Sequence, residues 1–150
     1  MNRLLGIDYG LKVIGLALCD PTQTLARPLQ LLHRTSRRAD FEQINALVQE
    51  HEASAIVVGL PVSPPEITVY TQADRVRLWA SRLAAAVGVP VFLWNERYST
   101  QDAEELLAEA GTPRPERIDA VAAAVILQSF LDHHHDGTPW PTRVTPADKP

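Results

Sequence analysis

Short apolar runs separated by turn residues dominate the first fifth of the chain. The runs Leu4–Ile7 and Val13–Cys19 lie on either side of Tyr9–Lys12, which contains a glycine. This pattern predicts two antiparallel strands joined by a hairpin, with the first strand buried on both faces. A third strand is expected over Arg27–His33. Its place is at the edge of the sheet, because Pro28 cannot donate a ladder hydrogen bond.

From there on, helical and strand patterns alternate. Apolar residues at helical spacing predict a first helix over Asp40–Glu52, and a crossover of this kind favours a parallel strand after it. The later elements predicted are strands over Ser54–Leu60 and Val89–Trp94 and helices over Gln72–Val87, Thr100–Ala110 and Glu116–Asp132. The order β-β-β-α-β-α-β-α-α predicts an α/β fold, with a mixed five-stranded sheet and helices on both faces.

The 150 residues suit one domain. We expect it to span residues 1–132, followed by a Pro-rich tail, 133–150, that is flexible or loosely docked. The single cysteine, Cys19, lies within a strand and is expected to be a buried structural thiol. The first strand begins close to Met1, and no apolar run reaches the length of about 20 residues that spans a bilayer. We therefore expect a cytoplasmic protein without a signal peptide or a membrane partner.

The charge balance weighs against broad electrostatic binding of nucleic acid. The chain carries 18 acidic and 14 basic residues, and its net charge is −4. A local basic face remains compatible with this balance. The segment around Arg34, Arg37 and Arg38 has two interpretations: a solvated loop or a patch that contacts phosphates.

Three carboxylates stand at positions that a sheet of this kind can bring together. Asp8 ends the first strand, Glu96 follows the last strand, and Asp119 lies in the first turn of the last helix. Carboxyl ends of parallel strands share one edge of a sheet, where ligands usually bind. Three ionised carboxylates at one place need a countercharge, and a set of oxygen ligands suits Mg²⁺ or Mn²⁺. Each acid taken singly also has a structural interpretation: Asp8 as a turn residue, Glu96 as an arginine-paired surface acid, and Asp119 as an acid in the first turn of a helix.

Four sequence blocks, in this order and spacing, resemble the YqgF/RuvX family, which has a ribonuclease H-like fold. The blocks are GIDYGLKVIGLALCD, IVVGLP, NERYST and IDAVAAAVILQSFLD, and the resemblance covers residues 3–132. It implies a nuclease whose catalytic and metal-binding residues are Asp8, Glu96 and Asp119. Two ions about 3.5–4 Å apart can activate a water and stabilise the leaving oxygen of a phosphodiester.

Supporting roles in substrate binding are expected for a few residues near these acids. Lys12 is placed to hold a phosphate, Arg97 to steady the substrate or Glu96, and Tyr9 to stack on a base or to pack. Arg114 and Arg117 remain from the basic stretch that the family carries before its last helix.

Several positions depart from the family pattern. Val13 stands where the family usually has a basic residue, and Asn95 stands where it usually has aspartate. The Pro-bearing segment Val62–Thr71 replaces a Gly-Ser-rich one. The three acids are intact, so these changes concern substrate grip and specificity rather than cleavage chemistry.

The leading hypothesis is a divalent-metal-dependent nuclease that acts on structured nucleic acid, with RNA and pre-16S rRNA processing favoured. The first alternative is a Holliday junction resolvase, which would act on branched DNA as a homodimer with a broad basic face. An actin-like ATPase or kinase is a second alternative, although such proteins generally need two lobes. A ribosome- or transcription-associated binding module with vestigial acids is the third.

Overall fold

The structure, a computed structural model, describes residues 2–61, 71–95, 115–135 and 137–147, and the side chains of 115–119 fall outside that description. The predicted helix over Thr100–Ala110 and most of the Pro-bearing segment therefore lie outside the described residues. The elements are β1 Arg3–Asp8, β2 Val13–Cys19, β3 Ala26–His33, α1 Arg37–Glu50, β4 Ala53–Leu60, α2 Gln72–Ala86, β5 Val91–Asn95 and α3 Pro115–His134.

The five strands form one mixed sheet in the order β3-β2-β1-β4-β5. Strand β1 is central: it pairs antiparallel with β2 and parallel with β4. Strand β3 pairs antiparallel with β2 at one edge, and β5 pairs parallel with β4 at the other. The predicted hairpin, the edge position of β3 and the parallel crossover are all confirmed.

Helices cover both faces of the sheet, as the sequence predicts. On one face α1 and α2 bury Ile44 and Trp79 against strand residues such as Ile7 and Val58. On the other face α3 buries Leu127 and further apolar side chains against the alternate strand residues, among them Val57. The sheet is thus buried on both sides, which is why its central strands are almost wholly apolar. No helix in the described part of the chain is long and apolar enough to cross a bilayer.

The first helix begins three residues earlier than the hydrophobic spacing predicts. Ser36 is its N-cap, and the Ser36 hydroxyl accepts a hydrogen bond from the N–H of Ala39. A capped first turn can carry polar residues, so an apolar pattern alone underestimates the length of the helix. At the far end of the chain, α3 runs two residues beyond the predicted end, and the Nδ1 atoms of His133 and His134 contact carbonyl oxygens one turn back.

The pairing between β2 and β3 contains an irregularity. The pairing register shifts between Leu16 and Ala17, and Ala17 lies opposite Pro28. A proline lacks the N–H that the ladder needs, so a bulge at this position is the expected accommodation. The predicted buried thiol is also present: Cys19 accepts a hydrogen bond from the N–H of Leu4, and burial raises the pKa of the Cys19 thiol.

The tail makes specific contacts within residues 137–147. The N–H of Val144 donates to the carbonyl of Val91, and the N–H of Ala147 donates to the carbonyl of Ser81. The ring of Trp140 lies edge-on to Phe92 and to Phe130, with 5.2 Å between ring centroids in each case. These contacts correspond to the docked alternative for the tail. The division of the chain at residue 132 stays a prediction.

Candidate active site

Asp8 lies at the carboxyl end of the central strand, between two glycines. On the antiparallel side its partner is Gly15. On the parallel side Ile7 is level with Val58, so the next residue of β4, Gly59, is level with Asp8. Neighbouring positions on the pleated sheet normally carry side chains that crowd each other. At this row both neighbours of Asp8 are glycines, which add no side chain beside the carboxylate.

The Asp8 side chain belongs to the face of the sheet that α3 covers. Successive residues of a strand point to opposite faces. Ile7 packs with α1 and α2 on one face, and Gly6 contacts α3 on the other. Asp8 therefore projects on the α3 side.

Helix α3 runs so that its first turns point toward the Asp8 end of β1. At Gly6 an added Cβ would lie 2.8 Å from the Cβ of Leu127 and 3.1 Å from the carbonyl oxygen of Ala123. Further along, the side chain of Gln128 bonds to the N–H of Ala26 and the carbonyl of Thr24, at the opposite end of the sheet. The helix direction thus carries the backbone of Asp119, one turn before Ala123, toward the end where Asp8 lies.

Strand β5 ends at the same edge. Its last residue, Asn95, is level with Leu60, one position beyond the row of Gly59 and Asp8. Glu96 and Arg97 follow Asn95 in the chain and lie outside the described residues, as does Arg114. Arg117 and Asp119 are described only as backbone within α3.

Arg34 holds the turn that follows Asp8. Its guanidinium donates to the hydroxyl of Tyr9 at 3.0 Å and to the carbonyl of Gly10 at 3.1 Å. The same group lies 4.9 Å from the centre of the Tyr9 ring and forms an ion pair with Asp40 at 3.5 Å. Asp40 is 1% exposed and also accepts the N–H of Thr35. A buried carboxylate paired in this way fixes the guanidinium and, through it, the turn.

Two of the predicted substrate contacts lie on this turn. Lys12 is exposed, and its carbonyl accepts the N–H of Arg34, so the side chain extends into solvent from a fixed backbone. The ring of Tyr9 packs on Trp79, with 5.0 Å between centroids. Of the two roles expected for Tyr9, packing is the one these contacts correspond to; base stacking stays a prediction.

Sequence reasoning missed the residues that shape the site without doing chemistry. It placed Arg34 in a solvated or phosphate-contacting loop and left Asp40 as an acid at a helix start. It also gave no role to Gly15 or Gly59. The sequence does carry a signal for the two glycines. Once the three strands are aligned in register, each glycine lies beside Asp8. No local signal marks Arg34, because its partners are up to 25 residues away in the chain.

Comparison with known proteins identifies the family. The model of the RuvX family, described as a Holliday junction resolvase, matches residues 2–133. The chain belongs to this family. The predicted family is therefore confirmed, and the nuclease class predicted for the chain is the class of the family.

Relatives and solved structures agree with this assignment. A relative from Syntrophus aciditrophicus (strain SB), provisionally named a pre-16S rRNA nuclease, is 42% identical over 87% of this chain and 88% of its own length. A relative of the same name from Anaeromyxobacter sp. (strain Fw109-5) is 45% identical over 89% of this chain and 98% of its own.

The fold also matches that of Thermus thermophilus RuvC, solved in complex with a Holliday junction substrate. The TM-score is 0.61 at 19% identity, over 95% of this chain and 100% of that one. At this identity the likeness concerns the fold alone, and it confirms the predicted ribonuclease H-like architecture.

Proposed function

We propose that this RuvX-family protein is a divalent-metal-dependent nuclease that cleaves structured RNA, with Asp8, Glu96 and Asp119 as its metal-binding and catalytic residues. The observation that carries the proposal is the position of Asp8. This carboxylate ends the central strand between Gly15 and Gly59, at the end of β1 toward which the first turns of α3 point.

The three acids proposed for this edge suit a hard cation. Mg²⁺ and Mn²⁺ prefer carboxylate and water oxygens, and the three acids supply oxygen donors only. Gly15 and Gly59, which flank Asp8 in the sheet, add no side chain that would compete with an ion for the carboxylate. A bound pair of ions would lower the pKa of an attacking water and stabilise charge on the leaving oxygen.

Other residues of the chain position the Asp8 carboxylate and supply positive charge for the substrate. The ion pair of Arg34 with Asp40 fixes the turn after Asp8, so the carboxylate is pre-organised. Lys12 extends from that turn and is proposed to bind a substrate phosphate. Substrate contacts are also proposed for Tyr9, Arg97, Arg114 and Arg117.

RNA is the favoured substrate class, and pre-16S rRNA is the proposed substrate. The proposed site of action is the cytoplasm. Support comes from the names of the relatives and from the net charge of −4, which weighs against the broad basic surface that a DNA junction would need. The second candidate is resolution of Holliday junctions, which the family description favours. That activity requires two cuts in symmetric strands and hence a homodimer.

A cleavage assay at one fixed salt concentration separates the candidates. Wild-type protein would be incubated with Mn²⁺ or Mg²⁺ and either a structured RNA, a single-stranded RNA or a four-way DNA junction. The proposal predicts metal-dependent cleavage of the structured RNA. Paired symmetric cuts in the junction, with the RNA intact, would instead identify a resolvase.

Metal affinity provides the second arm of the test. Titration with Mn²⁺ should show weaker binding for Asp8→Asn and Asp119→Asn than for wild type. Equal Mn²⁺ binding by all three proteins, with no cleavage of any substrate, would contradict the proposal and favour a non-catalytic binding module.

A further inference from the structure

A cavity lies at the end of the sheet opposite Asp8. Its volume is about 330 Å³, and it opens where β1 begins, β2 ends and β3 begins. Its wall combines charged and apolar side chains. The basic ones are Arg3, Arg27 and His51.

Arg3 and Arg27 are cations without a carboxylate partner in the described part of the chain. Neither takes part in an ion pair there. The Nε atom of Arg3 is buried and has no hydrogen-bond partner among the described residues. This atom is closed off from solvent, so the groups that a ligand in the cavity could contact are the other nitrogens of Arg3 and the exposed guanidinium of Arg27. Two unpaired guanidinium groups at one cavity indicate an anion.

Asp20, the acid among the described residues that line the cavity, forms no ion pair with Arg3 or Arg27. The carboxylate of Asp20 accepts the N–H groups of Thr24 and Leu25, each at 2.8 Å, and the hydroxyl of Thr22. The hydrogen bond from Leu25, followed by that from Thr22, lowers the pKa of Asp20. Its oxygens are thus engaged by their own turn, and the guanidinium groups keep their donors for a ligand.

The remaining wall suits a ligand that carries an apolar portion beside its charge. His51, the C-cap residue of α1, contributes an imidazole, and the apolar lining residues are Leu18, Leu29, Pro21 and Pro28. A guanidinium pair binds phosphate oxygens through several parallel N–H donors. Proline and leucine side chains offer a surface on which a sugar or base can lie.

We propose that this cavity binds the phosphate group of a nucleotide, either free or within a nucleic-acid strand, through Arg3 and Arg27. The site is separate from the acids at the other end of β1 and needs no metal. It would anchor a substrate strand away from the cleavage centre or hold a free mononucleotide.

Nuclear magnetic resonance titration of the full chain tests this proposal. Inorganic phosphate, adenosine monophosphate and a short single-stranded RNA would each be added to Asp8→Asn protein in the presence of a chelator. This background prevents cleavage, so the result is independent of the nuclease proposal. Saturable shifts at the amides of Arg27, Leu29 and His51 are expected.

Two variants and one matched control complete the design. Arg3→Gln and Arg27→Gln should each weaken binding about tenfold, the loss of one charge-assisted hydrogen bond. Arg82→Gln removes an equally positive, exposed residue from α2 and should bind as wild type. If Arg3→Gln fails to fold, Arg27→Gln and the shift map of the folded protein decide.

The outcomes separate the ligand sources. Binding of the mononucleotide but not the RNA identifies a free ligand, and binding of the RNA with higher affinity identifies a strand. Shifts confined to residues outside the cavity, or equal affinity in Arg27→Gln and Arg82→Gln, would overturn the proposal.

Discussion

At the scale of single residues, two aspartates are held by very different partners. Asp40 is 1% exposed and depends on the guanidinium of Arg34, which also ties down the turn after Asp8. Asp20 lies in a surface turn and depends on N–H and hydroxyl donors nearby in sequence. The first aspartate is a buried charge that needs a counterion, and the second is an ionised group stabilised by its own turn.

Arg34→Ala should destabilise the protein strongly. The substitution leaves the Asp40 carboxylate buried without a counterion, a loss of about 3 kcal/mol in the free energy of unfolding. Arg38→Ala is the matched control, because Arg38 pairs with Glu42 in solvent and should cost at most about 0.5 kcal/mol. Urea denaturation measures both. Equal effects would show that the Arg34 contacts contribute no more than a surface pair.

Asp20 should make stability depend on pH in the acid range. Its folded-state pKa lies below the unfolded value of about 3.9, so its contribution is complete above that value and is lost as pH falls toward the folded-state pKa. The stability difference between wild type and Asp20→Asn should therefore be constant from pH 7 to about pH 5 and shrink below about pH 4. A difference that stays constant down to about pH 3 would contradict this assignment.

At the scale of elements, the candidate site depends on the close contact between β1 and α3. Gly6 has no side chain, so the backbone of Ala123 and the side chain of Leu127 come directly against the strand. This contact sets how close α3, the helix that carries Asp119, lies to the sheet and in which direction it runs. The small residues around Ala123 allow such an approach.

Gly6→Ala should force the helix away from the sheet. The new Cβ would lie 2.8 Å from the Cβ of Leu127, and overpacking of this kind costs about 1–3 kcal/mol. Gly88→Ala is the control, since no atom lies within 4 Å of its added Cβ and its effect should stay within about 0.5 kcal/mol. Thermal or urea unfolding compares the two. A neutral Gly6→Ala would mean that α3 is not seated as described.

The tail provides the second test at this scale. Trp140 lies against Phe92 and Phe130, so Trp140→Ala should lower stability by about 2 kcal/mol through lost burial and aromatic contact. Arg143→Ala, an exposed neighbour in the same tail, should leave stability unchanged. If neither substitution changes the unfolding midpoint, the tail is flexible in solution.

The fold was predictable because its signals are local. The apolar runs of β1, β2 and β4, the proline in β3 and the helical spacing in α1 and α2 each act within a few residues. The edge at which Asp8 lies follows from the topology, and so does the direction of α3. The role of Arg34 was not predictable, because it depends on contacts between a turn, a loop and the start of a helix. The cavity around Arg3 was not predictable for the same reason, because residues from three strand ends and one helix end line it.

At the scale of the whole molecule, the two ends of the central strand are chemically opposite. Asp8 and the edge expected to gather carboxylates lie at one end, and Arg3 and Arg27, which form no ion pair with any described residue, lie at the other. A chain with net charge −4 whose proposed metal-binding acids and proposed phosphate-binding arginines lie at opposite ends of β1 would hold a metal and a phosphate at once. This arrangement suits a nuclease that relies on local charge rather than on an overall basic surface.

The most direct test of this account is the single-turnover rate of cleavage of a structured RNA in Mn²⁺ or Mg²⁺ by wild type, Asp8→Asn and Asp132→Asn. Asp132 is an exposed acid near the other end of α3, so its variant controls for the loss of one negative charge. Wild type and Asp132→Asn should cleave at similar rates. Asp8→Asn should be slower by about a thousandfold, because metal assistance lowers the barrier by several kcal/mol. Cleavage by Asp8→Asn at the wild-type rate would contradict the assignment of Asp8 to the catalytic centre.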